Sequence, residues 1–238
     1  MSVAVLFVID CTGSMRWVHQ SLKERLNEIV QQFAKERIPV FFGSMAFRDA
    51  PADPTTAFEH YGFPESDSPI DEMTVWLDNL KCKGGGNNQG ESSAAGIVIG
   101  IQDSTWPNVQ RRVVALFTDD GPHVPDERVR DWKHFRQQLH TFDIDQLHIF
   151  TKVRCFERYS EAPDVGYETF FHPLQPELLE DEIRQFVRQS SSGLGGPGES
   201  SPKLRERKAT SVNPFDAPPT GSTPEDAPDG GPNPFDDY

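Results

Sequence analysis

Val3-Ala4-Val5-Leu6-Phe7-Val8-Ile9-Asp10-Cys11-Thr12-Gly13-Ser14-Met15 is the stretch that decides how the chain is read. Seven apolar residues in a row, with no polar alternation, suit a strand covered on both faces, as at the centre of a parallel sheet. The run stops at Asp10. Residues 15–36 then place Val18, Leu22, Leu26, Ile29, Val30 and Phe33 at steps of three and four, the spacing of an amphipathic helix.

Working outward, residues 38–47 read as a second strand and 58–63 as an edge strand, followed by a short helix over 69–81. A glycine-rich segment, Gly84-Gly85-Gly86-Asn87-Asn88-Gln89-Gly90-Glu91, precedes a helix over 92–103. The strand at 112–118 ends in Asp119-Asp120, and Pro125 stands in the first turn of a helix expected over 125–141. Strands at 146–151 and 167–171 and a helix at 176–189 complete the pattern. This alternation predicts a doubly wound, Rossmann-like α/β domain over residues 1–189. Its sheet is mostly parallel and flanked by helices, with ligands expected at the carboxyl ends of the strands.

Composition shifts near residue 189. Residues 190–238 hold 9 of the 20 Pro and 7 of the 18 Gly but few large apolar side chains, so they are expected to form a disordered tail. The net charge of the 238-residue chain is −14; the tail's 8 acids and 4 bases leave −10 on residues 1–189. An acidic body lacks the clustered cations that meet phosphates, which argues against nucleic acid as a partner. The longest apolar runs, 3–9 and 113–117, fall far short of the roughly 20 residues a spanning helix needs. Neither membrane insertion nor a secretory leader is expected. Three cysteines, Cys11, Cys82 and Cys155, form no disulfide or zinc pattern and suit a reduced, cytoplasmic protein.

Chemistry concentrates where the two central strands end. Asp10, Thr12 and Ser14 recur at alternate positions, so in an extended loop their oxygens share one side. One carboxylate with two neutral hydroxyls suits a hard, octahedral cation such as Mg²⁺, with Asp119 adding a further oxygen directly or through water. The glycine loop lets backbone approach closely and offers Asn87 and Asn88, with Glu91 and Ser92 just beyond. It is not a phosphate-binding loop, since the Gly-Lys-Ser/Thr ending is missing. Asp10-x-Thr12-x-Ser14 also has the make-up of a helix N-cap, and Asp120-Gly121 that of a turn. Arg48-Asp49 reads as an ion pair fixing a loop, His123 as a rim residue and Cys11 as a packed side chain between two ligands.

Taken together, Val8-Ile9-Asp10-Cys11-Thr12-Gly13-Ser14-Met15, Ala46-Phe47-Arg48-Asp49, Gly84-Gly85-Gly86 and Thr118-Asp119-Asp120-Gly121 resemble a von Willebrand factor A-type domain over about residues 2–189. The branch they look most like is the one found with alpha-type kinases and in bacterial regulatory proteins. The resemblance implies a metal-ion-dependent adhesion site. Its first motif falls on Asp10, Thr12 and Ser14, its third-loop carboxylate on Asp119, and its second-loop ligand within Asn87-Asn88-Gln89-Gly90-Glu91-Ser92, assigned to Asn87. It further implies a Mg²⁺ (Mn²⁺ or Ca²⁺ as substitutes) bridging to a carboxylate of a protein partner, with no catalysis. The rival reading is a Mg²⁺-dependent phosphatase of the haloacid-dehalogenase type with Asp10 as nucleophile. No lysine stands in the strand context such an enzyme needs between its motifs.

The tail repeats Asn213-Pro214-Phe215-Asp216 as Asn233-Pro234-Phe235-Asp236. An Asn-Pro turn presenting one aromatic ring fills an apolar pocket, and these copies resemble the Asn-Pro-Phe ligands of EH-type domains. Phe215 and Phe235 are thus candidate partner-binding residues, and duplication on one tether favours a paired receptor. Arg205-Glu206-Arg207-Lys208 before Thr210 and Ser211 suits a basophilic kinase or a plain solvated linker.

Overall fold

The structure is a computed structural model that describes residues 2–52, 57–65, 69–85 and 90–192. Asn87, Asn88 and the tail, with Phe215 and Phe235, lie outside the described residues.

Six strands form one sheet: β1 (Val3–Asp10), β2 (Val40–Phe47), β3 (Phe58–Gly62), β4 (Arg111–Phe117), β5 (Gln146–Thr151) and β6 (Glu168–Pro173), in the order β3-β2-β1-β4-β5-β6. All neighbours are parallel except β3, which runs antiparallel to β2 at the edge. Among the described residues, five helices flank it: α1 (Arg16–Lys35), α2 (Pro69–Asn79), α3 (Ser93–Asp103), α4 (Trp132–Thr141) and α5 (Leu179–Ser191).

Every residue of β1 is buried, as its unbroken apolar run requires. Alternation sends Val3, Val5, Phe7 and Ile9 into one core layer with Val18, Leu22, Leu26 and Phe33 of α1 and Ile183 and Phe186 of α5. Leu6 and Val8 enter the opposite layer with Ala94, Ile97, Val98 and Ile101 of α3 and Phe135 and Leu139 of α4. The same parity continues past the strand: Cys11 joins the α1 layer, which leaves Asp10 and Thr12 on the other side of the chain.

The chain leaves β1 toward β2 on one side and β4 on the other, so the strand order reverses at β1. In doubly wound sheets that reversal opens a crevice at the strands' carboxyl ends. Ile9 pairs with Phe117, which sets Asp10 abreast of Thr118 and beside Asp119.

Two helices differ from the sequence expectation. The helix expected over 125–141 begins only at Trp132. Ahead of it, Asp126 and Val129 exchange backbone hydrogen bonds of 2.7 and 3.0 Å in a tight loop, and Val129 is buried. The Asp131 carboxylate then accepts from His134 N at 2.6 Å, capping the true start. The closing helix likewise starts at Leu179 rather than 176. A 3-10 segment, Val153–Tyr159, was not anticipated.

Candidate metal centre

Asp10 is fully buried, and both its oxygens are engaged: Oδ1 accepts from Thr12 N at 2.8 Å and Oδ2 from Thr118 Oγ1 at 2.8 Å. Thr12 Oγ1 lies 3.3 Å from Ser14 Oγ, and Ser14 Oγ donates to Asp119 Oδ1 at 3.1 Å. Asp10, Thr12, Ser14 and Asp119 thus come together, as the motif spacing predicts. The helix-cap alternative fails here, because Thr12 makes no side-chain cap at the turn that follows and the Ser14 hydroxyl donates to Asp119. The hydroxyls turn to each other and to Asp119 instead.

Burial pushes the Asp10 carboxyl up to about 6, against hydrogen bonds from Thr12 and Thr118 that pull it down, with Asp119's charge adding to the rise. Glu91 is the more strongly perturbed acid. It stands two residues ahead of α3, is 8% exposed, and its Oε2 has no hydrogen-bond partner. Burial first, then the charges of Asp10, Asp49, Asp120 and Asp119, raise its carboxyl to about 9. Backbone bonds hold it there: Glu91 N donates to Gly121 O at 2.8 Å, and His123 N to Glu91 O at 2.9 Å.

The loops that carry these groups brace one another. The glycine loop closes over the first motif, with Gly13 N 3.4 Å from Gly84 O. A Cβ on Gly85, whose φ is +95°, would stand 3.4 Å from Thr12 Cβ and 3.9 Å from Glu91 Oε1. Asp120 serves the turn and more: Oδ1 accepts from Gly121 N at 2.7 Å and Arg158 Nη1 at 2.9 Å, while Oδ2 accepts from Gly90 N at 3.2 Å. The Val153–Tyr159 segment backs this loop, with Tyr159 Oη donating to Asp120 O at 3.2 Å. His123 sits at the rim, its Nε2 3.3 Å from Asp49 Oδ1. The ion pair expected for Arg48 and Asp49 is replaced by one to the edge strand: Arg48 Nη1 lies 2.6 Å from Glu59 Oε1. Burying the guanidinium at 1% exposure demands a partner with a free carboxylate, and β3 brings one alongside.

Two participants lie outside the ligand set that the sequence assigns. Glu91 falls within the second-loop stretch whose ligand is assigned to Asn87, and its signal is a single acid just ahead of a helix of small residues. Lys152, one residue past β5, donates to Asp119 Oδ2 at 2.7 Å. Its only sequence signal is a lysine at the same strand-end level as Asp10 and Asp119.

A cluster of oxygen donors with several carboxyls packed close together fits a hard divalent cation. The orphaned Glu91 Oε2 and the raised Asp10 and Glu91 carboxyls mark the missing countercharge. Asp10, Thr12, Ser14 and Asp119 are the residues that would hold it, with Glu91 beside them.

The sequence matches no family model and no curated protein. Solved structures do match. Proximal thread matrix protein 1 from the mussel byssus aligns with a TM-score of 0.53 at 13% identity. A second crystal form of it gives 0.52 at 14%. The fold is von Willebrand factor A-like. A third structure of that mussel protein, with a zinc-occupied MIDAS motif (the adhesion-site motif named above), aligns at 0.52 and 13%. In each case the alignment covers 78% of this chain but 46% of the other, so the chain spans under half the length of these neighbours.

Proposed function

We propose that this chain is a non-catalytic interaction module that binds an acidic residue of a protein partner through a Mg²⁺ at the β1/β4 crevice. The observation that carries this reading is the hydrogen-bonded chain that links Asp10, Thr12, Ser14 and Asp119 at the strand reversal. Bound there, the cation supplies a positive centre for an incoming carboxylate. The chain's own residues do the positioning: Thr118 and the Thr12 amide orient Asp10, and Ser14 orients Asp119.

We read the tail as a second recruiting element through Phe215 and Phe235, which makes the whole an adaptor. The cytoplasm is our placement, on three cysteines without a framework pattern; no described helix is long and apolar enough to cross a membrane. The branch found with alpha-type kinases remains our preferred relative on the Asp10-Cys11-Thr12-Gly13-Ser14-Met15 wording.

A nucleophilic role for Asp10 is disfavoured by its complete burial and by hydrogen bonds to both oxygens. The deciding test is Mg²⁺ titration by calorimetry alongside capture of partners in Mg²⁺ and in EDTA. Asp10→Asn, which keeps the side chain's shape, should lose Mg²⁺ binding and Mg²⁺-dependent capture while unfolding cooperatively like the parent. Full capture by that variant, or capture unchanged in EDTA, would sink the proposal.

A further inference from the structure

Beside the oxygen-lined crevice lies a second group of ligand atoms of different chemistry. Cys11 follows β1, His19 stands in the first turn of α1, and Cys82 lies three residues beyond α2. One ligand atom from each, the two sulfurs and a ring nitrogen, all fall within 4.8 Å of one another. Cys11 is fully buried and His19 is 9% exposed, yet His19 Nε2 has no hydrogen-bond partner. A buried imidazole nitrogen left unpaired is costly unless something meets it. Thiolate and imidazole are the ligands that borderline-soft Zn²⁺ prefers. Around a tetrahedral zinc, sulfur and nitrogen ligands stand about 3.5–3.8 Å apart, so small side-chain rotations would close this triad on an ion.

We propose that Cys11, His19 and Cys82 form a Zn²⁺ site, separate from the oxygen site and on the opposite side of the β1 exit. Parity separates the two: Cys11 faces the α1 layer whereas Asp10 and Thr12 face the crevice. Three protein ligands leave the fourth position to water. The site joins three segments that already meet in one core layer and through the Lys83 N–Cys11 O hydrogen bond of 3.0 Å. Gly84 and Gly85 follow directly, so zinc here would pin the glycine loop against Thr12. The site stands whether or not the crevice binds a partner's carboxylate.

The test uses the full chain in reducing buffer with excess Mg²⁺ to occupy oxygen ligands, titrated with Co²⁺ as the spectroscopic probe. We expect a thiolate-to-cobalt charge-transfer band and tetrahedral visible bands saturating at one equivalent, bleached by Zn²⁺. Cys82→Ser should weaken Co²⁺ binding and cut the charge-transfer intensity per bound cobalt to about half, since one of two thiolates is lost. His19→Gln should weaken Co²⁺ binding by more than the roughly 10–100-fold that loss of an outer-shell partner costs. Asp10→Asn should leave the bands in place, which separates failure at this site from failure at the crevice. Absence of a thiolate band at saturating Co²⁺, or a band of parent intensity and affinity in Cys82→Ser, overturns the proposal.

Discussion

Glu91 shows how a single residue makes the crevice dependent on countercharge. Its carboxyl, raised to about 9 by burial and by four neighbouring acids, keeps its proton at neutral pH in the folded chain, whereas an unfolded glutamate near 4.5 has lost it. A raised folded value means stability is fully present below about pH 4.5 and drains away as pH climbs through about 9. Glu91→Gln should therefore stabilise the cation-free protein by about 2 kcal/mol at pH 8 and by almost nothing at pH 4.5, read by urea unfolding in EDTA. Lys152 works in the other direction. Its ammonium neutralises Asp119 at 2.7 Å but is 40% exposed, so solvent screens the pair. Lys152→Met should tighten Mg²⁺ binding about 2- to 5-fold by calorimetry, the equivalent of a screened pair worth about 0.5–1 kcal/mol. Unchanged affinity would mean that Asp119 does not face the cation.

At the scale of elements, the packing of β5, β6 and α5 buries a histidine relay. His148 Nδ1 lies 3.0 Å from His172 Nε2, and His172 Nδ1 lies 2.9 Å from Glu182 Oε2. Burial, His172 and Arg111 hold His148 well below the usual imidazole range; burial lowers His172 too, against Glu182, which raises it. Depressed imidazoles exclude protons from the folded state, so their contribution is intact above about pH 6.5 and is lost as pH falls below it. His148→Gln, which retains a hydrogen-bonding end, should flatten the loss of unfolding free energy between pH 7 and 5 by about 1–2 kcal/mol relative to the parent. An identical slope would show that other groups carry the acid sensitivity. The helix that begins at Trp132 rather than 125 belongs to this scale as well. Pro125 suits a first turn locally, but Val129 reaches the core and Asp131 supplies a better cap.

For the whole molecule, the question is whether one chain engages two partners. A metal-bridged crevice and a tail with two Asn-Pro-Phe copies would be two separate recruiting elements on one chain. Against a receptor carrying two EH-type domains, Phe235→Ala should weaken binding about 10²-fold through lost avidity, yet barely change binding to a single domain. Surface plasmon resonance on single and tandem receptors separates these outcomes. Equal loss on both receptors would assign the interaction to Phe235 alone. Mg²⁺ dependence of the crevice should be the same with residues 193–238 removed.

The sequence by itself determined the layer order and the first motif, because both are local: an unbroken apolar run makes a buried strand, and alternate residues share a side. Asp10, Thr12, Ser14 and Asp119 were legible for that reason, each being fixed by its distance from a strand end. Only the tertiary structure could decide that β3 runs antiparallel, that Arg48 pairs with Glu59, and that Glu91 and Lys152 enter the crevice. The same holds for His19 and Cys82, which approach Cys11 from α1 and from the segment after α2. These contacts join residues far apart in the chain whose local sequence fits several positions equally well. They exist because sheet order and helix packing bring the segments together, and burial then magnifies the interaction of their charges.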